Sequence, residues 1–180
     1  LIRRRRVLAR EERWAALLHG GPGGAGGPGG AGGPGGGASA LAAERMHRRA
    51  GELAWSELTR ELAVREIAIR WLAITGAWGR PPTRIGLDAT LPPGRALEDL
   101  LDQIDSGELD VSPEQRAAAS RIAGAYTDAT YAPPLPEEGA PGEAAPGDDA
   151  PGEAAPDPTP PTHPLRHDAD QIVELIRTAR

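Results

Sequence analysis

Cysteine, phenylalanine, lysine and asparagine do not occur in these 180 residues, and aromatic residues make up only 3% of them. Without cysteine there is no disulfide framework, thiolate zinc site, iron–sulfur cluster or cysteine nucleophile. Every basic residue is Arg. The joint lack of Lys, Asn and Phe matches a high-GC codon bias, so the Arg preference carries no argument for bidentate phosphate binding. No run of about 18 apolar residues is present, so no segment of the sequence spans a bilayer as a helix. The net charge of −6 and pI near 5.3 argue against a nucleic-acid surface spread over the chain. G-x-S-x-G, a phosphate loop ending in Gly-Lys, and H-E-x-x-H are all missing. The expectation is a chain with no catalytic residue, no cofactor, no metal and no small-molecule substrate.

Glycine and proline are plentiful but confined. Residues 20–37 are three copies of a six-residue Gly/Pro/Ala unit and hold 13 of the 24 Gly. They obey a Gly-X-Y period, but X is always Gly, which leaves too little imino acid for a collagen helix. No strand precedes them, so they are no dinucleotide loop. Residues 133–164 hold 11 of the 19 Pro and seven acids without a base. Neither tract has the apolar surface to offset its ordering entropy, and both are expected to be disordered linkers. Five segments follow: a basic juxtamembrane helix over 1–19, a flexible linker over 20–37, a small helical domain over 38–132, an acidic Pro-rich linker over 133–164 and an amphipathic helix over 165–180.

Charge is distributed unevenly along these segments. Residues 1–19 carry six Arg against Glu11 and Glu12, a net of +4, whereas residues 133–164 carry −7. The chain begins on Leu1 and reads as a piece of a longer protein.

The fold class expected is all-α, a small three-helix bundle flanked by the linkers and the short terminal helix. Residues 40–74 form one long helix. Trp55, Leu58, Leu62, Ile69 and Leu72 make one stripe; Val64, Ile67, Trp71 and Ile74 make a second in the later half, which is therefore expected to be the more buried. Glu57, Arg60, Glu61 and Arg65 are expected on the opposite, solvated side. Gly76, Gly79 and Pro81–Pro82 end this helix. A second helix fits 94–105, with Leu97, Leu100, Leu101 and Ile104 at i, i+3, i+4, i+7 and Gly107 as its stop. A third starts at the capping box Ser112-x-x-Gln115 with Pro113 at its first position, and buries Ala118, Ile122, Ala125, Tyr126 and Ala129. In the terminal helix Asp168 is the expected N-cap, with Ile172, Leu175, Ile176 and Ala179 on one face. Alone it is too short to be stable; it docks on the body or fills a groove on a partner.

His163 and His167 have a ligand-like spacing, but Pro164 lies between them and a solvated linker end accounts for the pair. Asp99, Asp102 and Asp105 read as the wet face of the second helix. Arg3, Arg4, Arg5 and Arg6 are the strongest local signal, with three readings. They form a nucleic-acid patch, a merely solvated charge run, or the cytosolic flank of a membrane helix that precedes Leu1. The first lacks interleaved aromatics. The third is favoured, because Leu1–Ile2 followed by four Arg obeys the positive-inside rule and suits an anionic membrane surface. Val7–Leu18, with Trp14, would then lie near the interface.

Several short motifs fall in order along the body: Ala54-Trp55-Ser56-Glu57-Leu58, Pro82-Thr83-Arg84, Leu97-Glu98-Asp99-Leu100-Leu101, Arg121-Ile122-Ala123, and Tyr131-Ala132-Pro133. This stretch, roughly 45–134, resembles the C-terminal cytosolic domain, of unassigned function, of transglutaminase-like integral membrane proteins of high-GC bacteria. It reads Pro-Thr-Arg where that family has Thr-Pro-Arg. The resemblance implies a location at the cytoplasmic side of the cell membrane and a Cys-His-Asp core upstream, none of whose residues lies in this chain.

The resulting expectation is a non-catalytic, membrane-proximal interaction or regulatory module of a transglutaminase-like membrane protein. Arg3–Arg6 meet the membrane, and Trp78, Ile172, Leu175 and Ile176 meet a protein partner. The alternative is a soluble scaffold or nucleic-acid-associated regulator using the same Arg cluster.

Overall fold

The structure is a computed structural model that describes residues 2–19, 36–76, 84–107, 109–135 and 163–179, with side chains from 8 in the first segment and from 40 in the second. Among the described residues there are five helices and no strand: α1 (Ile2–His19), α2 (Gly36–Thr75), α3 (Pro93–Asp105), α4 (Pro113–Tyr131) and α5 (Pro164–Thr178). The fold is all-α.

Local signals place the helix ends. The Ser112 hydroxyl accepts from the Gln115 N–H at 3.2 Å, and the Gln115 side chain accepts from the Ser112 N–H at 2.8 Å. This reciprocal pair satisfies two of the donors that the start of α4 would otherwise leave open. Gly76 follows α2 at φ +65°, the left-handed conformation that only glycine adopts at no steric cost. The expected cap of α5 is corrected. His163 is the N-cap, its Nδ1 accepting from the Leu165 N–H at 3.3 Å, with Pro164 at the first helical position. Asp168 lies one turn inside and is 3% exposed. Its carboxylate is held by Arg121 of α4 through two bonds of 2.8 and 2.6 Å.

The helices pack as a bundle of α1, α2, α4 and α5, with α3 against α4. His47 meets His163 near the start of α5, and Glu61 and Arg65 meet Arg177 and the α5 C-terminus, so α2 and α5 run parallel. α1 runs the other way: Arg10 pairs with Asp170, Glu11 with Arg166, and the Trp14 ring lies beside His163. α4 is also antiparallel to α5, with Arg121 on Asp168 and Glu114 near Gln171. α2 and α4 approach closely at Gly51, where a Cβ would come within 2.5 Å of the Ala125 backbone.

One core joins residues from all five helices. Trp14, Leu58, Leu97, Leu100, Leu101, Ile104, Ile122, Ile172 and Ile176 are its largest fully buried side chains. α5 therefore docks on the body. Burial of Ile172, Leu175 and Ile176, at about 1.5–3 kcal/mol per side chain, supplies the stability that a 15-residue helix lacks in water. Arg65 fastens the far end, donating to the carbonyls of Ile176 and Ala179.

Three further expectations are corrected. In α2 the middle is the buried part, through Ala50, Ala54, Leu58 and Leu62, whereas Ile67, Trp71 and Ile74 of the second stripe are exposed. Its last turns, from Glu66 on, emerge from the bundle because α2 has 40 residues while α4 and α5 have 19 and 15. Trp14 is not at a membrane interface but completely buried, since it fills the angle between α1, α2 and α5. Glu57 is not solvated: it is 5% exposed, turned toward α1.

Candidate functional site

α1 is joined to the body through Glu57. Arg10, Arg13 and Trp14 stand at i, i+3 and i+4, one face of a helix. All three donate to the same carboxylate: Arg10 Nε at 2.6 Å, Arg13 Nη2 at 3.3 Å and Trp14 Nε1 at 3.2 Å. Three donors, two of them charged, offset the desolvation of a buried carboxylate; removing it would leave two guanidinium groups facing an emptied acceptor. Arg10 reaches Asp170 as well, so the cluster bridges α1, α2 and α5.

Beside it lies a cleft of about 150 Å³ lined by Ala9, Arg13, Arg60, Val64, Val173 and Arg177, among others. Arg177 forks onto Glu61 at 3.0 and 3.1 Å, and this bond raises the guanidinium above its ordinary value. Four Arg and two Glu line the cleft, and three of the Arg are engaged by Glu57 or Glu61. It acts as an ionic seam that fixes α1 rather than as a field of one sign.

The second feature is the free end of α2. Ile67, Trp71 and Ile74, at i, i+4 and i+7, are 68%, 63% and 85% exposed. Ala68 and Ala73 beside them are exposed too. Large apolar side chains grouped on one helix face in water mark a contact surface more often than scattered ones do. Glu66 and Arg70 pair one turn apart on an exposed flank of this stretch.

The third is an open groove of about 470 Å³ between α2, the segment before α3, and α4. Trp55 and Tyr126 stack in its wall, ring centres 4.5 Å apart and 5° from parallel, with Ile85, Leu87 and Leu91 opposite. At its edge the Thr90 hydroxyl and N–H hold the Asp88 carboxyl below its usual range.

The residues singled out in the sequence fare differently. Arg3, Arg4, Arg5 and Arg6 belong to the first turns of α1, and their side chains lie outside the described residues. Trp78 also lies outside them. Ile172, Leu175 and Ile176 are 0%, 5% and 0% exposed. The groove they fill belongs to this chain, so their assignment to a partner is corrected: an amphipathic face reveals that something covers it, not what. Asp99, Asp102 and Asp105 are exposed as expected, the last two facing Arg116. His163 caps α5 and His167 lies by Gln171. Among the described residues no group of three or more His, Asp or Glu is set to bind a metal ion. No helix there is long and apolar enough to cross a membrane.

The Glu57 cluster and the exposed end of α2 were missed in the sequence. One signal was available for the second: a 40-residue helix is about 60 Å long and must overhang a bundle of helices half that length or less. Comparison with protein-family models, curated proteins and solved structures returned no match.

Proposed function

We propose that this chain is a non-catalytic, membrane-proximal module on the cytoplasmic side of a cell membrane, held at an anionic lipid surface by Arg3–Arg6. In this reading it serves a transglutaminase-like membrane protein as an interaction or regulatory domain. The observation that carries it is the fastening of α1. Because Trp14 is completely buried and Arg10 and Arg13 clasp Glu57, the helix that begins with four Arg is part of the rigid body rather than a loose tail. A charge cluster on a fixed helix orients the whole bundle at a surface. The local net of +4 over residues 1–19, in a chain of net −6, supplies a distinct positive pole. The resemblance of the body to the cytosolic domain of those membrane proteins supports the same reading.

Vesicle sedimentation tests it. The full chain should pellet with vesicles of phosphatidylcholine mixed with phosphatidylglycerol, not with phosphatidylcholine alone, and should be released by salt. Each Arg near such a surface contributes about 1 kcal/mol, so replacing Arg3–Arg6 by Ala should weaken binding by roughly a thousandfold at low salt. A wild-type chain that ignores anionic vesicles but binds duplex DNA through the same four Arg would overturn the proposal in favour of a nucleic-acid regulator.

A further inference from the structure

The geometry points to a second lipid contact: we propose that the exposed end of α2, through Ile67, Trp71 and Ile74, inserts into the headgroup layer of the same anionic membrane. The inference rests on the membrane-proximal reading above and adds to it the apolar half of the contact. Lipidation aside, a basic cluster holds a protein above a membrane by charge alone, and a stable attachment takes a second contribution.

Topology puts the two elements at one pole. α1 is antiparallel to α2, and Arg10 is level with Glu57. From Arg10 back to Ile2, α1 advances about 12 Å along α2 at 1.5 Å per residue. Its first turn therefore reaches about the level of Arg65, just short of Ile67. Ile74 lies about 14 Å beyond that level. Apolar side chains of an interfacial helix seat about 5–10 Å into the headgroup–acyl boundary. With the end of α2 at that surface, the first turn of α1 lies at the same pole of the bundle, about 14 Å back from Ile74 along α2.

Charge complementarity selects lipid over other occupants. Glu66 pairs with Arg70 at the start of this end, and past it residues 67–87 contain three Arg and not one acid, in a chain where acids outnumber bases by six. Two copies of such a segment would repel one another, whereas an anionic surface attracts both it and the Arg cluster. Area points the same way. Ile67, Trp71 and Ile74 together expose on the order of 400 Å², about half of the ~800 Å² per partner that a stable protein interface buries. A Trp with its body apolar and its N–H polar suits the headgroup level, and Arg70 can lay its stem along the helix while keeping its charge in water.

The test uses the full chain and vesicles of phosphatidylcholine mixed with phosphatidylglycerol. The Ile67→Ser/Ile74→Ser double variant changes only exposed positions and should melt like wild type. It should bind these vesicles on the order of a hundredfold more weakly. Brominated acyl chains should quench part of the wild-type Trp fluorescence, and that part should vanish in Trp71→Leu. If the double variant binds as wild type does while Arg3–Arg6→Ala does not bind, the membrane reading stands and this inference falls. If wild type does not bind at all, both fall. A concentration-dependent dimer seen by ultracentrifugation, abolished in the double variant with vesicle binding unchanged, would assign the α2 end to self-association and overturn the inference.

Discussion

Two isoleucines in this chain offer the same chemical change in opposite surroundings. Ile172, in α5, is completely buried, and Ile67, in α2, is 68% exposed. Replacing Ile172 by Ala removes three carbons from the core. Transfer alone costs about 0.8 kcal/mol per carbon, and the unfilled cavity adds to it, so a loss of about 3–4 kcal/mol is expected. For a thin all-α body this is a large share of the usual ~5–15 kcal/mol. Ile67→Ala should change stability by less than about 0.5 kcal/mol, because the little contact it gives up is offset by the better helix propensity of Ala. Urea unfolding followed by far-UV circular dichroism measures both, and the slope against denaturant should not change. If Ile172→Ala costs under about 1 kcal/mol, α5 does not share the core. If Ile67→Ala costs more than about 2 kcal/mol, the end of α2 is covered rather than free. Either result refutes the packing on which both functional proposals rest.

Gly51→Ala should destabilise by about 1–3 kcal/mol despite the higher helix propensity of Ala, because the new Cβ would meet Ala125 at 2.5–2.8 Å and push α2 from α4. Gly124→Ala, with open space around it, should instead stabilise by up to about 1 kcal/mol in the same denaturation assay; equal effects at both sites would contradict the close approach. Acidification should weaken the fold through His163. Burial first and the neighbouring His47 second hold its pKa below the ordinary value, and its neutral Nδ1 is the acceptor that caps α5. The unfolded chain therefore binds the proton more readily. The stabilisation is complete above the unfolded pKa of about 6.5 and declines as pH falls toward the depressed folded value. His163→Asn keeps a capping acceptor that does not titrate. Its stability should fall less than that of wild type over this range, and identical pH profiles would refute the assignment.

How much was legible depended on whether a signal was local. Ser112, Pro113 and Gln115 announce the start of α4 because a cap is made by residues three apart. Leu97, Leu100, Leu101 and Ile104 announce the buried face of α3 because its periodicity matches one side of a single helix. The cap of α5 was misplaced because Asp168 has the right chemistry for a cap, while its carboxylate is taken by Arg121, 47 residues away. The Arg3–Arg6 cluster was legible as charge, whereas the Glu57 cluster that fixes it was not: nothing near Glu57 in the chain foretells Arg10, Arg13 and Trp14.

Composition and periodicity by themselves determined the all-α class, the extents of α3 and α4, and the apolar faces of α3, α4 and α5, since these follow from backbone hydrogen bonding and from side chains spaced one turn apart. Only the tertiary structure decided which apolar faces are covered. The stripe of Ile172 and Ile176 and the stripe of Ile67, Trp71 and Ile74 are both amphipathic patterns. The first is buried and the second bare, because α2 outruns the helices beside it. Burial is a relation between elements, and their relative lengths and register set it.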